Sequence, residues 1–180
     1  MAAAMAAPVL RNGEAVRSYL LGSWSVKKSF DYRKGGGRGE LIGIASFQAC
    51  AEKPEVLMYE ERGTMSLEGL PKPVEAYRLY CFNTGTWPVE VYFVDDPTKK
   101  HLPSLLPELA VHTSFFVPLS FGSGDTGSTG NATFQHLCID DLYSGHLNAL
   151  TPQHFEWNWS VQGPNKDGSI SATYRRAEKK

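Results

Sequence analysis

Along most of this chain, hydrophobic and polar residues alternate in short runs, and this period of two predicts β-strands. Gly, Pro, Asn or Asp separates most of the runs, as expected for turns. One helical pattern comes first, from Glu14 to Leu21, with Val16, Tyr19 and Leu20 at helical spacing. The strand candidates that follow are Ser23–Tyr32, Gly39–Cys50, Glu55–Leu67, Glu75–Asn83, Val89–Asp95, Val111–Phe121, Thr133–Tyr143, Phe155–Gln162 and Ser169–Arg176.

Nine short strands with one helix and no βαβ alternation predict an all-β fold built as an antiparallel up-and-down meander. A barrel of about eight or nine strands is favoured over a sandwich, because closure leaves no exposed strand edge. The short N-terminal helix is expected to plug one end of that barrel. We predict a leader at residues 1–12, a single barrel domain at 13–177 and a tail at 178–180.

Composition restricts the classes of partner and the cellular compartment that we expect for this protein. With 18 Lys and Arg against 19 Asp and Glu, the chain has no global charge to attract nucleic acid, and no apolar run is long enough to span a membrane. The Ala-rich leader lacks the features of a secretory signal, so a cytoplasmic protein is expected, with an organellar transit segment as the alternative. Cys50, Cys81 and Cys138 have no metal or redox spacing and predict free thiols in a reducing compartment.

Polar and aromatic side chains share strand faces in a way that predicts a binding site inside the barrel. Within the run Thr133–Tyr143, alternation places His136, Cys138 and Asp140 on one face and Asp141 and Tyr143 on the other. An aromatic box with a few fixed polar groups suits a small planar or amphipathic ligand. The predicted ligand-binding residues are Tyr59, Glu61, Arg78, Tyr80, His136, Asp141, Tyr143, Trp157 and Trp159.

Two other functions stay open. Trp157 and Trp159, with Phe155 and Val161 on the same face, have the bulk to fill a small barrel, which would make the protein a structural subunit whose loops bind protein partners. A hydrolase or isomerase would need His136 or His101 as general base, and we favour binding over catalysis.

No cofactor or metal is predicted. His101, His112, His136, His146 and His154 form no HxH or HExxH pair. The stretch Gly122–Gly130 lacks the GK[ST] ending and the following helix of a phosphate loop, and is interpreted as an inserted loop.

The two ends of the predicted barrel carry a recognisable pair of motifs. Gly22-Ser23-Trp24 opens the first strand, and Tyr174-Arg175-Arg176 ends the last one. This resembles lipocalin-like barrels, in which a Trp of the first strand packs beneath an Arg of the last. Such a cation–π contact contributes about 0.5–2 kcal/mol. The resemblance implies that Trp24 closes the barrel together with Arg175 or Arg176.

A wider resemblance covers the chain from Leu21 to Arg176. Tyr59-Glu60-Glu61-Arg62-Gly63, Arg78-Leu79-Tyr80 and the run from His136 to Gly145 are similar, in order and spacing, to an uncharacterised family of lipocalin-like, calycin-type barrels, the domain of unknown function family 6314. The family implies a fold but no assigned activity. Its recurring polar residues correspond to Glu61, Arg78, His101, His136, Asp141, Tyr143, Lys166 and Arg176.

Overall fold

The computed structural model describes residues 6–94, 113–122 and 130–177 of the chain. The predictions for His101, His112 and the tail, and most of the inserted loop, lie outside the described residues. Helix α1 spans Gly13–Leu20, and ten strands follow: β1 Gly22–Lys34, β2 Arg38–Ala49, β3 Val56–Leu67, β4 Val74–Asn83, β5 Val89–Val94, β6 Thr113–Phe121, β7 Asn131–Cys138, β8 Asp141–Thr151, β9 His154–Gln162 and β10 Asp167–Arg176.

The strands form one closed antiparallel barrel in which each pairs with its sequence neighbours. Closure is made by β1 and β10, whose register runs from Trp24 opposite Arg176 to Lys34 opposite Asp167. The all-β, up-and-down barrel with a short N-terminal helix is therefore confirmed, with ten strands instead of eight or nine.

The additional strand comes from the run Thr133–Tyr143, which we predicted as one strand. It is a hairpin: Cys138 pairs with Asp141, so Ile139 and Asp140 form a two-residue turn. The turn reverses the chain, and His136 comes opposite Tyr143. The expected assignment of these two residues to opposite faces is therefore wrong, because cross-strand partners point the same way.

Packed side chains fill one end of the barrel. Helix α1, capped by Asn12 Oδ1 accepting from the amide of Ala15 at 2.8 Å, covers this end with Val16, Tyr19 and Leu20. Beneath it, the Phe155 ring packs edge-on to Trp24 at 4.7 Å and is stacked on Tyr174 at 4.2 Å. Apolar burial is the main stabilising contribution here.

All three cysteines are free thiols. Cys50 and Cys81 are buried with Val56 and Met58 in a second, smaller apolar cluster, and burial raises the pKa of the Cys81 thiol to about 12. Cys138 is exposed. In the described part of the chain, no helix is long and apolar enough to cross a membrane.

Candidate functional site

The half of the barrel away from α1 contains a cavity of about 570 Å³. The inward face of β1 passes through both halves of the barrel: Trp24 and Val26 belong to the packed core, and further along the same face Lys28, Phe30 and Tyr32 line the cavity. The volume lies within the range of small-molecule sites, about 300–1,000 Å³.

Aromatic rings form one wall of this cavity. The ring of Phe116 is stacked between Tyr80, at 5.6 Å and an interplanar angle of 4°, and Trp159, at 5.1 Å and 20°. Phe93 lies 4.1 Å from Phe116, and Trp157 lies 5.8 Å from Trp159. These flat, apolar surfaces come from four strands and are held by their mutual contacts.

The cavity floor carries a buried ion pair. Lys28 Nζ lies 2.7 Å from Glu61 Oε2, and the Glu61 side chain is only 4 % exposed. The Tyr59 hydroxyl donates to the same carboxylate oxygen and lies 3.1 Å from the Tyr174 hydroxyl. Burial lowers the pKa of Lys28, and burial raises the pKa of Tyr59 and Tyr174 well above the usual value. The Glu61 carboxylate is thus already occupied by the protein's own donors.

Two further cations border the cavity. Arg78 points to the same side of β4 as Ala76 and is partly exposed at the edge of the cavity. No described carboxylate lies within 4.0 Å of its guanidinium. Lys166 lies near the far rim with its Nζ 5.8 Å from the centre of the Tyr143 ring. A hydrogen bond to Tyr143 raises the pKa of Lys166.

His136 connects two strands that are paired over only a short length. Strands β6 and β7 pair at Ser120 with Thr133 and at Phe121 with Ala132. Further along, His136 Nδ1 lies 3.0 Å from the carbonyl oxygen of Phe116. Because a carbonyl only accepts, Nδ1 is the donor, and Nε2 of the neutral ring is left as an acceptor.

Asp141 has a different place from the rest of the predicted set. Its Oδ1 accepts from the backbone amides of Asn165, at 2.9 Å, and Lys166, at 3.1 Å, in the turn between β9 and β10. A Cβ on Gly163 would come within 2.2 Å of that oxygen, so the close approach requires glycine. Asp141 holds the turn that carries Lys166, and it is not among the residues that line the cavity.

The two arginines at the end of β10 have different environments. The Arg176 guanidinium lies 3.9 Å from the centre of the Trp24 ring, and it donates to the carbonyl of Leu21 at 2.5 Å and to that of Tyr19 at 2.6 Å. Arg175 is exposed on the outer face. Arg176 thus joins the first strand, the last strand and the helix.

The sequence matches the model of a family of unknown function, DUF6314, over residues 20–176. The chain belongs to this family. No curated protein matches it.

The fold of this DUF6314 chain is similar to solved barrels at low sequence identity. An S-type phycobiliprotein lyase, CPES, from Guillardia theta aligns with a TM-score of 0.54 at 8 % identity, covering 94 % of each chain. Rv2717c from M. tuberculosis aligns at a TM-score of 0.49 and 10 % identity, covering 94 % of this chain and 99 % of that one. A protein of the DUF3598 family from Nostoc punctiforme aligns at 0.48 and 12 %, over 89 % and 49 %. The lyase supports the barrel fold.

The DUF6314 barrel brings most of the predicted site residues to one cavity. Glu61, Arg78, Tyr80, His136, Tyr143, Trp157 and Trp159 line it. Tyr59 lies beneath, bonded to Glu61. Sequence reasoning missed Lys28, although a period of two from Trp24 through Val26 indicates that Lys28 points inward. It also missed Phe93 and Phe116, because periodicity alone does not distinguish an inward ring that lines a cavity from one that is packed in the core.

Metal ligation finds no support in the parts of the chain that are described. No three His, Cys, Asp or Glu side chains there come close enough to hold an ion. The chemistry available to the cavity is therefore that of its ion pair, its cations, one imidazole and its aromatic walls.

Proposed function

We propose that this barrel binds a small planar or amphipathic ligand in the cavity away from α1. The observation that carries the proposal is a volume of about 570 Å³ walled by the stacked rings of Tyr80, Phe116 and Trp159. A flat apolar ligand would remove these surfaces from water and gain about 25 cal/mol per Å² of apolar surface buried.

Binding accounts for the geometry better than the two alternatives. A scaffold barrel needs no cavity, and here only the half beneath α1 is filled. A histidine general base acts on a group within hydrogen-bond reach of its free ring nitrogen. Of the described groups that bond to His136, the backbone carbonyl of Phe116 is the one observed, so this ring serves to connect β6 and β7.

Fluorescence titration with 1-pyrenebutanol, an uncharged planar probe, tests the proposal. Pyrene absorbs where indole emits, so bound probe quenches Trp157 and Trp159. At about −0.3 kcal/mol per heavy atom, this probe is expected to bind with a Kd of about tens of micromolar.

A matched pair of variants locates the bound probe. Ala76→Phe puts a ring into the cavity and should weaken binding about tenfold, equivalent to 1.4 kcal/mol. Ser171→Phe adds the same ring on the outer face of β10 and should bind like wild type. Thermal melts check that both variants fold. If wild type does not bind, or both variants bind equally well, the proposal is wrong.

A further inference from the structure

The cavity offers far more positive charge and hydrogen-bond donors than acceptors. Its described lining includes three cationic side chains, Lys28, Arg78 and Lys166, and one carboxylate, Glu61. A ligand that fits this surface must bring its own acceptors.

The charges are not distributed evenly within the cavity. Lys28 and Glu61 neutralise each other at 2.7 Å, and the carboxylate also accepts from Tyr59. Lys166 lies over the Tyr143 ring at the far rim. Arg78 borders the cavity beside Tyr80, is partly exposed, and has no described carboxylate within 4.0 Å of its guanidinium.

Arg78 is also placed to act on a ligand that lies against the aromatic wall. It is two residues before Tyr80 on β4, so both side chains point to the same side of the strand. A ligand body that lies against Tyr80 at the aromatic wall would therefore end beside the guanidinium. A planar guanidinium binds a carboxylate through two parallel hydrogen bonds.

We infer that the ligand of this cavity is an organic acid, with a planar or amphipathic body along the aromatic wall and a carboxylate on Arg78. Glu61 neutralises Lys28, which leaves Arg78 and Lys166; Arg78 is the one of these two that shares a strand face with Tyr80, so a single carboxylate is placed there. This inference rests on the proposed function and adds the chemical class of the ligand.

The test compares two probes that differ only in the headgroup, 1-pyrenebutyrate and 1-pyrenebutanol. At an arginine that is partly exposed, a charge pair strengthens binding by about two- to fivefold. Wild type should therefore bind the acid more tightly than the alcohol by about that factor. The ratio of the two Kd values cancels effects of the pyrene body.

Arg78→Gln assigns the preference to one residue. In this variant the ratio of the two Kd values should fall to about one. Arg38→Gln is the control, because Arg38 is an exposed arginine paired with Asp31 on the outside of the barrel, and it should keep the wild-type ratio.

The possible outcomes distinguish the organic-acid inference from the proposed function. Equal affinity of wild type for both probes overturns the organic-acid inference and leaves cavity binding in place. A preference for the acid that persists in Arg78→Gln overturns the role of Arg78. If neither probe binds, the proposed function and the inference both fail.

Discussion

Two adjacent arginines at the end of β10 illustrate how much the direction of one side chain decides. Arg176 points inward onto Trp24 and bonds to two carbonyls at the end of α1. Arg175 points outward and is exposed. In the sequence the two are indistinguishable, since either could be the partner of Trp24.

Arg176→Gln is expected to lower the free energy of unfolding by about 2–4 kcal/mol, through loss of the cation–π contact and the hydrogen bonds. Arg175→Gln should change it by less than about 0.5 kcal/mol, as is usual for exposed positions. Urea unfolding of both variants gives the comparison. Equal losses in the two would contradict the assignment of closure to Arg176.

Lys28 shows why residue type alone misleads. A lysine in an otherwise polar strand is normally a solvated surface residue. Here the strand turns Lys28 inward onto Glu61, and its neighbours Lys27 and Ser29 outward. The alternation was visible in the sequence, but the partner was not, because Lys28 and Glu61 lie on strands separated by β2. Non-local pairing of this kind needs the strand order and register.

At the scale of elements, the β7–β8 hairpin has the least typical turn. Ile139 has a φ of 59°, in the left-handed region that β-branched residues avoid. The side chain is 82 % exposed, so burial does not compensate for this conformation. The turn lacks the Asn-Gly or Asp-Gly pair that normally signals a hairpin.

Ile139→Gly is therefore expected to stabilise the barrel by about 1 kcal/mol, because glycine adopts a positive φ without steric cost. Leu137→Gly is the control in the same hairpin, where the backbone is an ordinary strand paired with Leu142. It should destabilise by about 1 kcal/mol. Thermal unfolding measures both. A loss of stability in Ile139→Gly would show that the turn is not strained.

This turn also marks the limit of prediction from sequence. Strand existence, antiparallel order and barrel closure follow from alternation, from Gly and Pro in the other turns, and from the terminal Trp and Arg. Where the turn chemistry is absent, as at Ile139-Asp140, two strands are read as one and the faces beyond the turn are exchanged. Asp141 shares the side of Tyr143 but lies next to the turn, where it bonds to the backbone of Asn165 and Lys166 instead of lining the cavity, and these non-local partners could not be predicted from alternation.

For the molecule as a whole, buried acids with raised pKa values make stability depend on alkaline pH. Burial raises the pKa of Tyr80 to about 12, and that of Tyr59 and Tyr174 well above the usual value. Burial also raises the pKa of Cys81 to about 12. When the pH rises above the ordinary pKa of such a group, the group loses its proton in the unfolded chain but keeps it in the folded chain.

The sign follows from proton linkage. Stability is fully present below about pH 9 and falls as the pH rises towards 12, because the unfolded state then binds fewer protons. Lys28 has the opposite effect on the pH dependence of stability. Its pKa is lowered in the folded state, so as the pH rises the folded chain releases this proton before the unfolded chain does. In the described residues, nine tyrosine and cysteine groups have a raised pKa, against the lowered pKa of Lys28 in this pH range, so a net loss of stability is expected.

Urea midpoints measured from pH 8 to about 11 test this expectation, and a midpoint that stays constant or rises would contradict it. Tyr80→Phe should reduce the slope, because Tyr80 alone accounts for about 2 kcal/mol across its window. The Tyr80→Phe variant should also remain folded at neutral pH, where the Tyr80 hydroxyl of the wild type is protonated in both the folded and the unfolded state.

The pairing of β1 with β10 has a consequence for synthesis on the ribosome. The first strand leaves the exit tunnel early, but its partner is the last strand of the barrel to emerge. Until then, β1 and the most recently made strand both present unpaired backbone edges, which favour association with other chains. The edge of β1 is therefore covered only after β10 has been made and Arg176 reaches Trp24.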